Sequence, residues 1–237
     1  MPALSRVWTA IGQQLRNPSG FSGKVIGCLM ELANRRSNRI AIDALKIAPD
    51  DTILELGFGP GRAVRALAAL APQGCVLGID HSATMLARAS RSNRRAIREK
   101  RVYLLRGRFD ALPWRADSVD RILAVHVIYF AGAAEIREAR RVLRPGGSIV
   151  ILATDKSAMA RWRFVQFSTH SIFDMDDLAA LLLRGGFATR EFVISRIKLS
   201  FGVPGLLAMA TKLANEEVAA PDATRRGAFR AQSRSMI

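Results

Sequence analysis

The segment Ile53-Leu54-Glu55-Leu56-Gly57-Phe58-Gly59-Pro60-Gly61 joins an apolar run to a turn in which every second residue is glycine. The apolar run is typical of a buried strand, and a helical pattern begins near Arg62. Glycines at alternate positions let the main chain turn tightly and bring a ligand against the backbone, where any Cβ atom would intrude. We therefore expect a strand, a ligand-binding turn and a helix in succession.

A carboxylate follows the next predicted strand. Val76-Leu77-Gly78-Ile79 ends in Asp80, which comes 25 residues after Glu55. In a Rossmann-like sheet, an acid at this place lies beside the glycine turn and accepts hydrogen bonds from the ribose hydroxyls of an adenosine. The glycines follow the pattern G-x-G-x-G, whereas dinucleotide-binding turns read G-x-G-x-x-G, so the spacing disfavours NAD and an NAD-dependent oxidoreductase.

From Asp51 onward, short β-rich runs alternate with helical stretches, which is typical of βαβ units and a parallel sheet. The sequence predicts an α/β fold, a Rossmann-like three-layer sandwich with a mostly parallel seven-stranded sheet and an N-terminal helical extension. The expected strands are 52–56, 75–79, 102–106, 119–125, 147–153 and two short strands within 188–201, and the expected helices are 61–71, 82–98, 134–143 and 175–185.

The chain divides into three predicted regions. Apolar residues at helical spacing place two amphipathic helices in residues 1–47, as a lid over the site or as an interfacial anchor. Residues 48–201 form the ligand-binding domain, and residues 202–237 are expected to hold a C-terminal helix and a basic, flexible tail.

Composition limits the class of protein. The chain is 49% hydrophobic and 24% charged, and it contains neither a run of roughly 20 apolar residues nor a secretory signal, so we expect a cytoplasmic protein. Cys28 and Cys75 lie far apart without other metal ligands at suitable spacing, so neither a disulfide framework nor a metal site is expected. The net charge of +16 indicates an anionic partner or a solubilising surface.

Four motifs fall in the order of one known family. They are Glu55–Gly61, Gly78–Ser82 with Met85-Leu86, Asp110–Trp114 leading to Asp117–Asp120, and Leu143–Gly147. On these motifs, residues 40–195 resemble the class I S-adenosylmethionine-dependent methyltransferases, and within them the small-molecule group that includes quinone-biosynthesis and phospholipid methyltransferases.

The resemblance implies S-adenosyl-L-methionine as methyl donor and assigns a role to each motif residue. For Met85, which the resemblance places beside the adenine ring, simple helix packing is the alternative. By resemblance, Glu55 orients the methionine portion, Gly57, Gly59 and Gly61 shape its bed, Asp80 holds the ribose, Asp110 meets the adenine amino group with Ala111 nearby, and His81 and Met85 flank the adenine ring.

Two histidines are candidate general bases, which are needed only when the acceptor loses a proton. His126 follows the strand predicted at 119–125, on the edge where open parallel sheets bind ligands. The alternative interpretation is a histidine that is packed or solvated at a strand end and has no catalytic role. By resemblance, residues 127–130 line the acceptor pocket, with Tyr129 available for hydrogen bonding, and His170 reaches the same cleft from the lid region. The aromatic residues Trp162, Phe164, Phe167 and Phe173 suggest an apolar or ring-bearing acceptor, or core packing.

Basic residues cluster on the helix predicted at 82–98 and near the N-terminal helices. This arrangement resembles an anchor for anionic lipid, so a lipid headgroup is an alternative methyl acceptor. For the N-terminal helices, a role as a lid over the site is preferred to a role as an anchor. An RNA-binding role is disfavoured because no aromatic residues are interleaved with the clusters, and the acceptor and the oligomeric state stay open. The clusters are Arg88, Arg91, Arg94, Arg95, Arg98, Lys100 and Arg101, and Arg6, Arg16, Lys24, Arg35, Arg36 and Arg39.

Overall fold

A computed structural model describes residues 34–160 and 171–214 of the chain. Residues 1–33 of the helical region predicted over 1–47 lie outside the described residues, and so do the tail from 215 onward and the segment 161–170, which contains Trp162, Phe164, Phe167 and His170. Within the described ranges, no helix combines the length and the apolar content that crossing a bilayer requires.

Seven strands form one sheet in the order β3-β2-β1-β4-β5-β7-β6. The strands from β3 to β5 are parallel, whereas β7 is antiparallel to both β5 and β6. The predicted number of strands is therefore confirmed, and the sheet is mixed, with antiparallel pairing at one edge. The strands are β1 (Thr52–Leu56), β2 (Cys75–Asp80), β3 (Val102–Arg106), β4 (Val119–Val125), β5 (Leu143–Thr154), β6 (Phe192–Lys198) and β7 (Pro204–Thr211).

Helices cover both faces of the sheet. Leu54 and Leu178 belong to a core cluster on one face, while Ile53 and Leu67 belong to a second cluster on the other. This alternation of adjacent strand residues between two cores gives three layers. The helices are α1 (34–45), α2 (Arg62–Leu70), α3 (Ala83–Ser92), α4 (Arg94–Arg98), α5 (Ala133–Val142), α6 (Lys156–Met159) and α7 (Met175–Arg184).

The helix predicted over 82–98 is two helices that meet at Asn93. Asn93 is buried, and its side-chain amide donates hydrogen bonds to the carbonyl oxygens of Gly61 and Ala89 at 3.0 and 2.9 Å. The side chain thus ties the end of α3 to the glycine turn. This contact depends on a residue 32 positions away, so local periodicity did not predict the break.

The C-terminal part of the described chain differs from the prediction. Pro204–Thr211 form strand β7 where the sequence predicts the start of a C-terminal helix, and 188–201 supply one strand, β6, instead of two. The Leu- and Ala-rich run of β7 has good helix propensity, but β7 inserts between β5 and β6 and pairs with both. The sheet therefore extends past the predicted boundary at residue 201.

The parallel strands bring the predicted site residues to one edge. Leu56 is paired with Ile79 of β2 and with Ala124 of β4, so the turn after β1, Asp80 at the end of β2 and His126 after β4 all lie at the carboxyl edge of the sheet. In open α/β sheets this edge is where ligands bind.

Candidate active site

The three glycines of the turn after β1 have positive φ angles of 69°, 50° and 81° but different surroundings. A Cβ atom on Gly57 would lie 2.6 Å from Cγ2 of Val127, and one on Gly61 would lie 2.6 Å from Nδ2 of Asn93. A Cβ atom on Gly59 would meet no atom within 4 Å. Gly57 and Gly61 therefore leave room for protein atoms, whereas Gly59 borders open space that a ligand can occupy.

The Asp80 carboxylate is buried beside this turn. Its Oδ2 accepts a hydrogen bond from the Gly59 N–H at 2.9 Å, and its Oδ1 accepts one from the Ser82 N–H at 2.9 Å. Each carboxylate oxygen can accept a further hydrogen bond. The backbone therefore orients Asp80 rigidly and leaves it able to accept hydrogen bonds from ligand hydroxyls.

Glu55, at the end of β1, is a buried acid with an unsatisfied oxygen. Its Oε2 has no hydrogen-bond partner among the described residues. Burial, together with the negative charge of Asp80, raises the pKa of Glu55 well above its usual value, and a backbone hydrogen bond at Val64 partly offsets this rise. A buried oxygen without a partner is costly unless a ligand or water satisfies it, so Glu55 is suited to a cationic ligand group.

We expect the Glu55→Gln variant to show a flatter dependence of stability on pH. The folded-state pKa of Glu55 lies above its ordinary value of 4.5, so the folded protein retains this proton to higher pH than the unfolded chain. The stability from the protonated carboxyl is complete below 4.5 and is lost as the pH rises through the raised pKa. Thermal unfolding of both proteins across this window checks the prediction, and parallel curves would contradict it.

The residues predicted around the adenine ring occupy different environments. His81 is exposed, with Nδ1 at 3.6 Å from Oδ1 of Asp80. Met85 is buried in the core cluster on the α2 face, which is the packing role that the sequence left as an alternative. Ala111 is exposed, and Asp110 forms a two-point ion pair with Arg108 that lowers the pKa of Asp110.

Arg108 is a residue that the sequence reasoning missed. It follows Gly107, whose N–H donates to the Asp80 carbonyl at 3.0 Å and holds the loop after β3 against the end of β2. The opposite charges two residues apart, at Arg108 and Asp110, were the available signal. A ligand that hydrogen-bonds to Asp110 must share its carboxylate with this guanidinium.

His126 and Tyr129 form a hydrogen-bonded chain at the end of β4. The Thr154 N–H donates to the Tyr129 hydroxyl oxygen at 2.7 Å, and the same hydroxyl lies within hydrogen-bond distance of Nδ1 of His126, 3.0 Å away. The other ring nitrogen, Nε2, lies 3.1 Å from Oγ of Ser37 in α1. The chain links α1 to the edge of the sheet, and Ser37 is a second residue that the sequence reasoning missed.

Burial leaves both catalytic candidates uncharged near neutral pH. Burial lowers the pKa of His126 to about 4 and raises the pKa of the Tyr129 hydroxyl. Both ring nitrogens of His126 are engaged by hydroxyl groups, those of Tyr129 and Ser37. Of the other acceptor-side candidates, Phe173 is buried in the core, and His170 lies outside the described residues.

The sheet has seven strands with antiparallel pairing at one edge, and its carboxyl edge carries a glycine turn that borders open space and an acid at the end of β2. These features define an enzyme of the Rossmann-like class that binds an adenosine-containing ligand. A protein family described as a methyltransferase domain matches residues 53–147. The chain is 30% identical over 138 residues to the uncharacterized methyltransferase YdaC of Bacillus subtilis, which covers 57% of this chain and 74% of YdaC. The chain therefore belongs to the class I S-adenosylmethionine-dependent methyltransferases.

Two further comparisons agree with this assignment. The chain is 31% identical over 121 residues to the ubiquinone/menaquinone biosynthesis C-methyltransferase UbiE of Syntrophotalea carbinolica, which covers 50% of each protein. A methyltransferase of Haloferax volcanii, solved with the activator Trm112, has a TM-score of 0.67 at 19% identity and covers 81% of this chain and 95% of that one. The second likeness concerns the fold alone.

The described residues fit S-adenosylmethionine, the methyl donor of this family. The donor carries a ribose, an ammonium group and a sulfonium. The site offers a fixed carboxylate at Asp80, open space at Gly59, and a buried acid oxygen without a partner at Glu55. The Asp80 carboxylate suits the ribose hydroxyls, and the Glu55 oxygen suits a positively charged group.

Proposed function

We propose that this enzyme transfers a methyl group from S-adenosylmethionine to a small apolar or ring-bearing acceptor at the carboxyl edge of the sheet. The unpartnered, buried Oε2 of Glu55, next to Asp80 and the open space at Gly59, is the observation that carries the proposal. When bound, the donor supplies a methyl group that is already activated by the sulfonium charge.

In this proposal, Glu55 and Asp80 hold the two ends of the donor. Glu55 faces the cationic methionine portion, Asp80 accepts hydrogen bonds from the ribose hydroxyls, and Gly59 lets the ligand approach the backbone. On the adenine side, Asp110 with Ala111 and His81 complete the proposed set, while Met85 packs in the core and Gly57 and Gly61 fix the turn. Alignment of two reactants in this manner supplies on the order of 7–11 kcal/mol in favourable cases.

The acceptor is proposed to lie against the wall formed by residues 127–131. Val127, Phe130 and Ala131 are partly buried side chains that pack against the same core as Tyr129, and they present apolar surface next to His126. The likeness to UbiE, named for ubiquinone and menaquinone biosynthesis, supports a ring-bearing acceptor that is methylated on carbon. A lipid headgroup is the alternative acceptor, and it draws support from the net charge of +16.

His126 and Tyr129 are proposed to position the acceptor wall instead of taking a proton. With a pKa of about 4 and both ring nitrogens engaged, His126 is a weak base at neutral pH. His170 stays the proposed base for an acceptor that loses a proton. A carbon acceptor on an electron-rich ring makes the smallest demand on such a base before methyl transfer.

A His126→Asn variant separates these roles. Asparagine tolerates the left-handed backbone of His126, whose φ is 55°, so the fold should persist. We expect turnover to fall by about tenfold through the loosened Tyr129 contact, with an unchanged pH profile and unchanged donor affinity. Loss of a true general base would lower turnover by about 10²–10⁴ and remove one limb of the pH profile. Steady-state kinetics against pH distinguish the two outcomes.

The acceptor proposal is tested with isotope-labelled donor and a panel of phenols, quinol-like rings, fatty acids and phospholipids. Transfer of label to a ring compound, with none to phospholipid, supports the preferred class. Transfer to phospholipid alone would favour the lipid alternative. Transfer to RNA would contradict both, and so would binding of NAD in place of S-adenosylmethionine.

A further inference from the structure

The turn between β6 and β7 presents an aromatic side chain to solvent. Phe201 is 96% exposed and has left-handed backbone angles, with φ 58° and ψ 25°. Large side chains rarely adopt this conformation, in which glycine or asparagine is favoured. Phe201 contributes nothing to the core and strains its own backbone, so the stability of the fold does not account for a phenylalanine here.

The turn holds Phe201 outward instead of letting it fold back. Leu199 is buried and packs so closely on Gly205 that a Cβ atom there would lie 2.6 Å from Cγ of Leu199. The Leu199 N–H donates to the Val203 carbonyl at 2.8 Å and closes the turn. The exposed ring therefore sits on a well-anchored turn.

This turn lies at the edge of the sheet that carries the candidate active site. Gly205 pairs with Thr154 at the carboxyl end of β5, and the Asp155 N–H donates to the Pro204 carbonyl at 3.0 Å. Thr154 is also the residue whose N–H holds the Tyr129 hydroxyl. The strand ends thus place the Phe201 turn next to the proposed acceptor wall.

Two basic residues of β6 precede the exposed ring in the chain. The Arg196 side chain is 71% exposed, with Nε 3.9 Å from Oδ2 of Asp155, and Lys198 is also exposed. Arg35 and Arg36 are exposed next to Ser37, the α1 residue that reaches His126. None of the ion pairs formed among the described residues involves Lys198, Arg35 or Arg36. An exposed aromatic ring three residues from Lys198, an exposed cation without an ion-pair partner among the described residues, is the pattern of a surface that binds anionic lipid.

We propose that the β6–β7 turn docks the enzyme on an anionic lipid surface, with Phe201 among the headgroups and the candidate active site facing the bilayer. The inference goes beyond the proposed function because it assigns a surface and an orientation whatever the acceptor. The basic cluster of α3 and α4 cannot give this orientation by itself. Arg94–Arg98 precede β3 and approach the amino edge of the sheet, so contact through them would turn the site away from lipid.

Phe201→Asn tests the proposal without endangering the fold. Asparagine suits the left-handed backbone, so the midpoint of thermal unfolding should be unchanged or higher. Co-sedimentation with vesicles of equal parts phosphatidylglycerol and phosphatidylcholine at low salt should show binding about tenfold weaker than that of the wild type. Lys198→Gln should weaken it by about fivefold.

Val193→Asn is the matched control. Val193 is 68% exposed at the start of β6, the opposite end of the same strand, so its replacement should leave vesicle binding unchanged. The proposal would be overturned if the wild-type protein did not bind anionic vesicles, or if it bound single-stranded RNA in preference to them. Equal vesicle binding by Phe201→Asn and the wild type would overturn it too. Donor affinity should be the same in all these variants, so failure here is distinguishable from failure of the proposed function.

Discussion

Replacing Asp80 with alanine should lower the affinity for S-adenosylmethionine by about a hundredfold or more. The carboxylate is fixed by the N–H groups of Gly59 and Ser82 and is proposed to accept two ribose hydroxyls. Each charge-assisted hydrogen bond lost costs about 1.5–3 kcal/mol, and the variant also leaves two backbone N–H groups without their acceptor. Isothermal titration calorimetry measures the change directly.

Glu99→Ala provides the control for this loss of charge. Glu99 is an exposed acid that pairs with Arg95 and Arg101 beyond the end of α4, away from the carboxyl edge. Its removal should leave donor affinity within about twofold, because exposed ion pairs contribute little. An Asp80→Ala protein that is folded and binds the donor like the wild type would remove Asp80 from the site.

The second large effect is expected from filling the space above Gly59. Asparagine accepts a left-handed backbone, so Gly59→Asn should cost little stability, while its side chain enters the open region beside Asp80. We expect donor binding to weaken by at least about a hundredfold, since the ligand and the new side chain compete for one volume. Calorimetry of the folded variant provides the measurement.

Gly61→Ala, in contrast to Gly59→Asn, should lower the stability of the fold more than it lowers the affinity for the donor. A Cβ atom on Gly61 would lie 2.7 Å from the Ala89 Cβ and 2.9 Å from the Ala89 Cα, so the substitution forces α2 away from α3. Overpacking of this kind costs about 1–3 kcal/mol, to which the left-handed backbone adds about 1–2 kcal/mol. The free energy of unfolding should fall more in Gly61→Ala than in Gly59→Asn. Equal losses of stability with equal donor affinity would contradict the division of roles between the glycines.

The sequence predicted the parts of this fold that depend on local pattern. The apolar runs of β1 to β4, the turn at residues 57–61 and the acid at the end of β2 are set by neighbouring residues, and the structure has them in place. The prediction was wrong for β7, because the run Leu206–Ala210 reads equally well as a helix when its strand partners are unknown.

The site was harder to predict where it depends on distant residues. Ser37 lies 89 positions from His126 in the sequence, and the residues near either one do not predict the hydrogen bond between Ser37 Oγ and the imidazole Nε2. The glycines at 57 and 61 read as ligand-binding positions, yet Val127 and Asn93 fill the space beside them. Only the packed structure shows which of the three glycines borders open space.

The structure also changes what the net charge of +16 is expected to do. Part of the α3–α4 cluster is neutralised locally, since Arg95 and Arg101 both pair with Glu99. The cations around Phe201 are fewer but lie at the edge of the site. Position relative to the active site therefore carries more information than the number of basic residues.

A crystal structure of the enzyme with S-adenosylhomocysteine tests the central claim most directly. We predict that the ribose hydroxyls contact the Asp80 carboxylate, that the amino acid portion lies over Gly59, and that Glu55 faces its ammonium group. Electron density for the ligand elsewhere in the protein, with Gly59 and Asp80 left as they are without ligand, would contradict it.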